Sequence, residues 1–185
     1  MFSGGSIGMW HRYFGEGCAV HGIDLDPRCK AYETERTRIH VGDQASRAFW
    51  REFRRQVPRL DILIDDGGHT PEQQMTTFEE MFPHIAPGGV FICEDVAATS
   101  EGGHQLSAFV AGLADRLHHL RLANDRSATN PLQRMVEAIT LYPMMVVIER
   151  RAEGLPELTS ERRGTEWQPP SLLDAQGRQV RGRGM

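Results

Sequence analysis

Short apolar runs alternate with stretches of helical periodicity along most of this chain. Ser6 to Phe14 reads as a short helix opening directly after the glycine pair Gly4-Gly5, and Ala19 to Ile23 as a strand ending at Asp24. A second strand, Ile39 to Val41, runs into Gly42-Asp43-Gln44. Phe49, Phe53 and Val57 then fall on one face of a helix between Ser46 and Val57. Leu60 to Ile64 is a strand that ends in Asp65-Asp66-Gly67-Gly68-His69. Thr70-Pro71-Glu72-Gln73 is a helix start, with Thr as N-cap, Pro at the first helical position and Gln three residues past the cap. That helix is expected to bury Met75, Phe78, Met81 and Phe82. Pro87-Gly88-Gly89 reads as a turn, Val90 to Cys93 as a buried strand into Glu94-Asp95, and Gln105 to Leu122 as a helix. Ala138 to Tyr142 and Met144 to Glu149 are expected to be antiparallel neighbours about Pro143.

This alternation predicts an α/β fold of βαβ units, with helices on both faces of a mainly parallel sheet. The apolar periodicity stops after Arg151, so residues 1–151 are expected to form one core and 152–185 a largely disordered tail. Composition narrows the function classes. A net charge of −4 gives no general attraction to nucleic acid or to an anionic membrane. No apolar run approaches the roughly 18 to 20 residues of a membrane helix, and the start lacks the pattern of a signal peptide. Cys18, Cys29 and Cys93 have no metal-ligand spacing and would leave one thiol over in any disulfide scheme. The expectation is a soluble cytoplasmic protein with reduced thiols, its state of oligomerisation open, a homo-oligomer included.

In an open α/β sheet, ligands bind beyond the carboxyl ends of the parallel strands. Here every such end delivers polar residues. Gly4-Gly5-Ser6 at a helix start allows a ligand to approach the backbone amides and the positive end of the helix dipole. Asp24 stands where nucleoside-binding folds place a carboxylate for ribose hydroxyls. Asp43 suits an adenine amino group, with Gln44 assisting. Asp65 is assigned to the cofactor side of the crevice, with main-chain amides of its turn as the alternative partner. Asp66, Glu94 and Asp95 would crowd into one crevice, where like charges repel unless a cation or proton intervenes. Oxygen-rich ligation favours a hard ion such as Mg²⁺. His69 lies among these acids, just before the N-cap of a helix whose dipole disfavours the imidazolium, which makes it the candidate catalytic base.

Taken together, G-G-S-I-G-M-W, G-I-D-L-D-P, G-D-Q, L-I-D-D-G-G-H, F-P-H-I-A-P-G-G and C-E-D resemble a bacterial branch of the class I methyltransferases. That branch includes the macrolide-sugar and rhamnosyl O-methyltransferases and the proteins named after cephalosporin hydroxylase. The likeness spans about residues 3–150, and its most specific part is I-D-D-G-G-H followed by E-D. It implies a Rossmann-like, seven-stranded sheet carrying S-adenosylmethionine over the strand ends, with Mg²⁺ at Asp66, Glu94 and Asp95 and a base at His69. The expected activity is O-methylation of a small-molecule hydroxyl, a natural-product sugar by the family resemblance. In this fold the first strand is central and leads into the glycine loop, yet only Met1-Phe2-Ser3 precede Gly4. The expectation is therefore a core truncated at its N-terminus, with unpaired backbone in the strands that remain. Two other readings stand beside it: a non-catalytic nucleoside-binding module of methyltransferase descent, and a metal-dependent hydrolase.

Overall fold

The computed structural model describes residues 4–96, 103–117 and 131–154. The expected tail from residue 155 onward, the last turn of the helix expected to reach Leu122, and residues 97–102 lie outside these. The chain begins with helix α1 (Gly5–Phe14), strand β1 (Val20–Asp24), a 3₁₀ segment (Pro27–Tyr32) and strand β2 (Thr37–Val41). Helix α2 (Arg47–Gln56), strand β3 (Leu60–Asp65) and helix α3 (Pro71–Met81) follow. Strand β4 (Ile85–Cys93), helices α4 (Gly103–Leu117) and α5 (Pro131–Met135), and strands β5 (Val136–Tyr142) and β6 (Met145–Arg150) complete it. None of the described helices is long and apolar enough to cross a membrane.

Local chemistry explains the boundaries. Ser46 Oγ accepts the backbone N–H of Phe49 and so starts α2. Thr70 and Gln73 form the capping box that the sequence announces, with Pro71 at the first turn of α3. β1 and β2 are parallel, as are β3 and β4, while β6 runs antiparallel to both β4 and β5. The expected turn at Pro87-Gly88-Gly89 proves to be a wide bulge within β4. Leu60 pairs with Ile85 but Ile62 with Val90, so Asp61 alone faces residues 86–89.

Among the described residues the strands make two ladders, β1-β2 and β3-β4-β6-β5, which share no hydrogen-bonded pair. Among the same residues, β1 and β3 each have a strand neighbour on one side only. The main core lies over the larger sheet, where Trp50, Phe53 and Val57 meet Phe78, Met81 and Phe82, with Leu63, Phe91, Val146 and Ile148 below and Leu113 of α4 beside them. Ile7, Cys29 and Ile39 form a separate small cluster under β1-β2, with Val20 packed against it. Phe78, Met81 and Phe82 are buried as expected, and the buried face of this segment also takes in polar residues of α3. Gln74, Thr76 and Thr77 are buried beside Phe78 and Met81, and Met75 is only partly so. The first turn of α3 faces polar backbone at the strand ends rather than the apolar core, so a glutamine occupies the inward position.

Candidate active site at the carboxyl ends of the parallel strands

Parallel pairing puts the carboxyl ends of β1 and β2 on one edge, and likewise those of β3 and β4. Hydrogen bonds join these ends into one rim. The Gly42 N–H donates to the Asp24 carbonyl at 2.9 Å, Gln44 Nε2 donates to Asp65 Oδ1 at 3.0 Å, and the Glu94 N–H donates to the Asp65 carbonyl at 2.9 Å. The rim thus collects Asp24, Asp43, Asp65 to His69, Glu94 and Asp95.

At the β1-β2 end, Asp24 is partly exposed and its Oδ1 accepts the N–H of Asp26 at 2.8 Å. Asp43 is exposed, with Oδ1 accepting the N–H of Ala45 at 2.8 Å. Both carboxylates therefore shape tight turns beyond their strands. Gly4 is the N-cap of α1 in the left-handed conformation, with φ of 65°. A side chain at this position would bring Cβ within 2.7 Å of the Tyr32 ring, so the glycine lets the start of α1 pack on the segment that follows β1. No side chain caps α1, and Gly5 and Ser6 are exposed at its first turn, an arrangement suited to a polar or anionic ligand.

At the β3-β4 end, Asp66, His69 and Asp95 are exposed, and each offers a ligand atom within 4.8 Å of the others. His69 Nε2 lies 3.6 Å from Asp95 Oδ2. Asp95 has a left-handed backbone, φ 49°, which is costly for a residue with a side chain. Its neighbours hold it there: the Glu94 N–H is bonded to Asp65 and the Val96 N–H donates to the Met144 carbonyl at 3.0 Å. The carboxylate of Glu94 stands outside the cluster of Asp66, His69 and Asp95, but it feels their charge. Burial, and then the charges of Asp66 and Asp95, raise its pKa above the ordinary carboxylate value. Ligand atoms of Asp66, His69 and Asp95 gathered this closely, with the disfavoured charge of Glu94 nearby, form a set that a hard divalent cation would suit. Asp66 and Asp95 are the residues whose oxygens would face such an ion, with Glu94 beside them in sequence.

Asp65 is buried at 5% exposure. Burial raises its pKa, and hydrogen bonds from Gln44, the Gly67 N–H and Thr77 oppose that rise. Its bond to the Gly67 amide, 3.3 Å from Oδ1, is the main-chain partnership considered for it from sequence. Gln44 departs from expectation more sharply. Both ends of its side-chain amide are committed to the β3 loop, Oε1 to the Gly68 N–H and Nε2 to Asp65, so neither is directed to a nucleoside. Sequence reasoning also passed over Gln74, which is 2% exposed and donates to the Glu94 carbonyl at 3.1 Å. The signal was present: Gln74 lies at helical spacing from Thr77, Phe78 and Met81, a polar residue within a buried stripe.

Comparison with known proteins places these features in a lineage. Residues 2–96 match the family model described as a methyltransferase domain. The chain is 32% identical over 162 residues to demethylmacrocin O-methyltransferase of Streptomyces fradiae, covering 80% of this chain and 40% of that protein. It is 31% identical over 163 residues to 8-demethyl-8-alpha-L-rhamnosyl tetracenomycin-C 2'-O-methyltransferase of Streptomyces olivaceus, covering 82% of this chain and 42% of that protein. Among solved structures, the MycE methyltransferase of mycinamycin biosynthesis, in complex with Mg, SAH and mycinamycin VI, superposes with a TM-score of 0.68. That match has 28% identity and covers 80% of this chain and 40% of that one. The chain thus spans about two fifths of the length of these relatives.

Proposed function

The chain belongs to the methyltransferase-domain family, and from that premise we propose that it is the catalytic core of a Mg²⁺-assisted, S-adenosylmethionine-dependent O-methyltransferase. The acceptor in this reading is a hydroxyl of a natural-product sugar, the class of substrate that the relatives' names carry. The observation that supports it most is the shared rim, which sets nucleoside-type carboxylates on β1 and β2 beside the cluster of Asp66, His69 and Asp95.

On this rim the chain's own residues divide the work. The amides at Gly4, Gly5 and Ser6 face the polar part of the cofactor. Asp24 accepts from ribose hydroxyls and Asp43 from the adenine amino group, while Asp65 acts through the turn it holds. S-Adenosylmethionine, when bound, supplies a methyl group on a sulfonium leaving group. Mg²⁺, when bound, lowers the pKa of a hydroxyl beside it, and Asp66, Asp95 and Glu94 are the residues that would hold it. His69 accepts the proton that the acceptor hydroxyl loses as its oxygen attacks the methyl carbon. Asp95, 3.6 Å from Nε2, stabilises the imidazolium so formed.

The test begins with calorimetric titration of S-adenosylmethionine into the 185-residue chain, with and without Mg²⁺. Binding of both is expected. A folded chain that binds neither would sink the proposal. With a sugar acceptor in hand, His69→Ala is expected to lower turnover roughly 10²- to 10⁴-fold while leaving cofactor affinity nearly intact. Undiminished turnover would remove His69 from the mechanism.

A further inference from the structure

We infer that Gln44 is the positioning residue for the metal-and-base loop, holding residues 65–69 in place from the end of the neighbouring parallel pair. The inference rests on the metal reading above and extends it to a residue that touches neither metal nor reacting atoms.

Its backbone is anchored first. The indole N–H of Trp50, itself 2% exposed, donates to the Gln44 carbonyl at 2.8 Å. The side chain then crosses to β3. Oε1 accepts the Gly68 N–H at 2.7 Å. Nε2 donates to both oxygens of Asp65, at 3.0 and 3.2 Å, and lies 3.3 Å from Thr77 Oγ1. The amide can be oriented only one way, because a backbone N–H requires the oxygen and a carboxylate requires the NH₂. The loop is built around this approach: a Cβ at Gly67 would lie 2.1 Å from Gln44 Oε1.

The consequence is geometric. Gln44 grips residues 65 and 68, and these bracket Asp66 and immediately precede His69. One side chain therefore sets the direction of a proposed ligand and of the proposed base. Partners that fix a ligating carboxylate in this way typically carry 10- to 100-fold of metal affinity. Asp43, the neighbouring residue, belongs to the nucleoside end of the rim, so the turn after β2 serves both halves of the site.

The 185-residue chain with Mn²⁺ as a spectroscopic probe and S-adenosylhomocysteine as cofactor product separates this role from a merely structural one. Gln44→Met keeps length and volume but removes all three side-chain partners. It is expected to weaken Mn²⁺ binding about 10- to 100-fold and to accelerate exchange of the Gly68 amide proton, with S-adenosylhomocysteine affinity retained. Gln44→Glu alone sets a second carboxylate against Asp65 and is expected to weaken Mn²⁺ as well. Combining Gln44→Glu with Asp65→Asn reverses donor and acceptor at unchanged net charge. The new carboxylate accepts from Gly68 and from the new amide, and Mn²⁺ affinity is expected to return toward that of the parent. Unchanged Mn²⁺ affinity in Gln44→Met, despite faster Gly68 exchange, overturns the inference. So does a loss of metal and cofactor binding in parallel that the paired exchange fails to restore. A parent chain that binds no Mn²⁺ overturns the metal reading itself, and is told apart because the failure precedes any substitution.

Discussion

Glu94 carries the electrostatic history of the rim in a single carboxylate. Its pKa is raised from 4.5, first by burial and then by Asp66 and Asp95. The folded state therefore binds the Glu94 proton more tightly than the unfolded state does. By linkage, its contribution to stability is intact below the ordinary value and declines as pH rises from 4.5 through the raised folded pKa. At neutral pH without a divalent ion, the charged rim opposes folding. Glu94→Gln is thus expected to raise the apo melting temperature at pH 7 while weakening Mg²⁺ binding, and saturating Mg²⁺ should narrow the gap between variant and parent. Scanning calorimetry with and without Mg²⁺ checks this; a lower apo melting temperature in the variant would refute the repulsion argument. Much at this scale was legible in the sequence, because strand-end acids need only the strand to be found. The role of Gln44 was not: it was expected beside a nucleoside, whereas its partner Asp65 is 21 residues away and its orientation depends on a buried Trp50 that no local pattern announces.

At the scale of elements, β1, β2 and α2 meet through a pair of histidines. His21 Nδ1 and His40 Nε2 share a hydrogen bond of 3.1 Å, and both rings pack edge-on against Phe53 of α2 at 6.2 and 4.8 Å. Burial lowers the pKa of each. The charge of Arg38 adds to this at His21, and His21 and Lys30 add to it at His40, where Gln56 and Glu33 act in the opposite sense. A histidine whose folded pKa is depressed binds fewer protons in the native state than in the unfolded one. Stability is then complete above the ordinary value of 6.5 and is lost as pH falls through 6.5 toward the folded pKa. Thermal stability is expected to drop between pH 7 and pH 5, and His21→Leu with His40→Leu should flatten that part of the curve. Equal slopes in parent and variant would remove the pair as its cause. The strands and helices here were legible by period and by caps, as Thr70 and Gln73 illustrate. The bulge of β4 was not: Pro87-Gly88-Gly89 has the chemistry of a turn, and only the ladder with β3 shows that the strand continues in the same direction.

For the whole molecule, the divided sheet implies divided stability. The β3-β4-β6-β5 sheet is covered by a core that includes Trp50, Phe78, Met81, Phe82, Ile85, Phe91 and Ile148. The β1-β2 pair rests on Ile7, Cys29 and Ile39, and reaches the larger core through Ile23, the contacts of its histidines with Phe53, and Gln44. Isolated two-stranded ladders are marginal in water, so this half depends on those few attachments. Opening free energies within one protein range from near zero to the global value, following buried contact. Amides of β1 and β2, such as those of Ile23 and Ile39, are therefore expected to exchange through a sub-global opening. Those of Leu63, Phe91 and Ile148 should wait for global unfolding. Hydrogen exchange across a denaturant series measures both, and equal opening free energies would show that the division of the ladders does not divide the energetics. The consequence reaches the proposed chemistry, because Asp24 and Asp43 ride on the weaker half and Asp66, His69 and Asp95 on the stronger. A ligand that binds only the closed β1-β2 end stabilises it by mass action. Saturating S-adenosylhomocysteine is expected to lift the protection of β1-β2 toward that of the core, whereas Mg²⁺ alone should act mainly on the loop from Asp66 to His69.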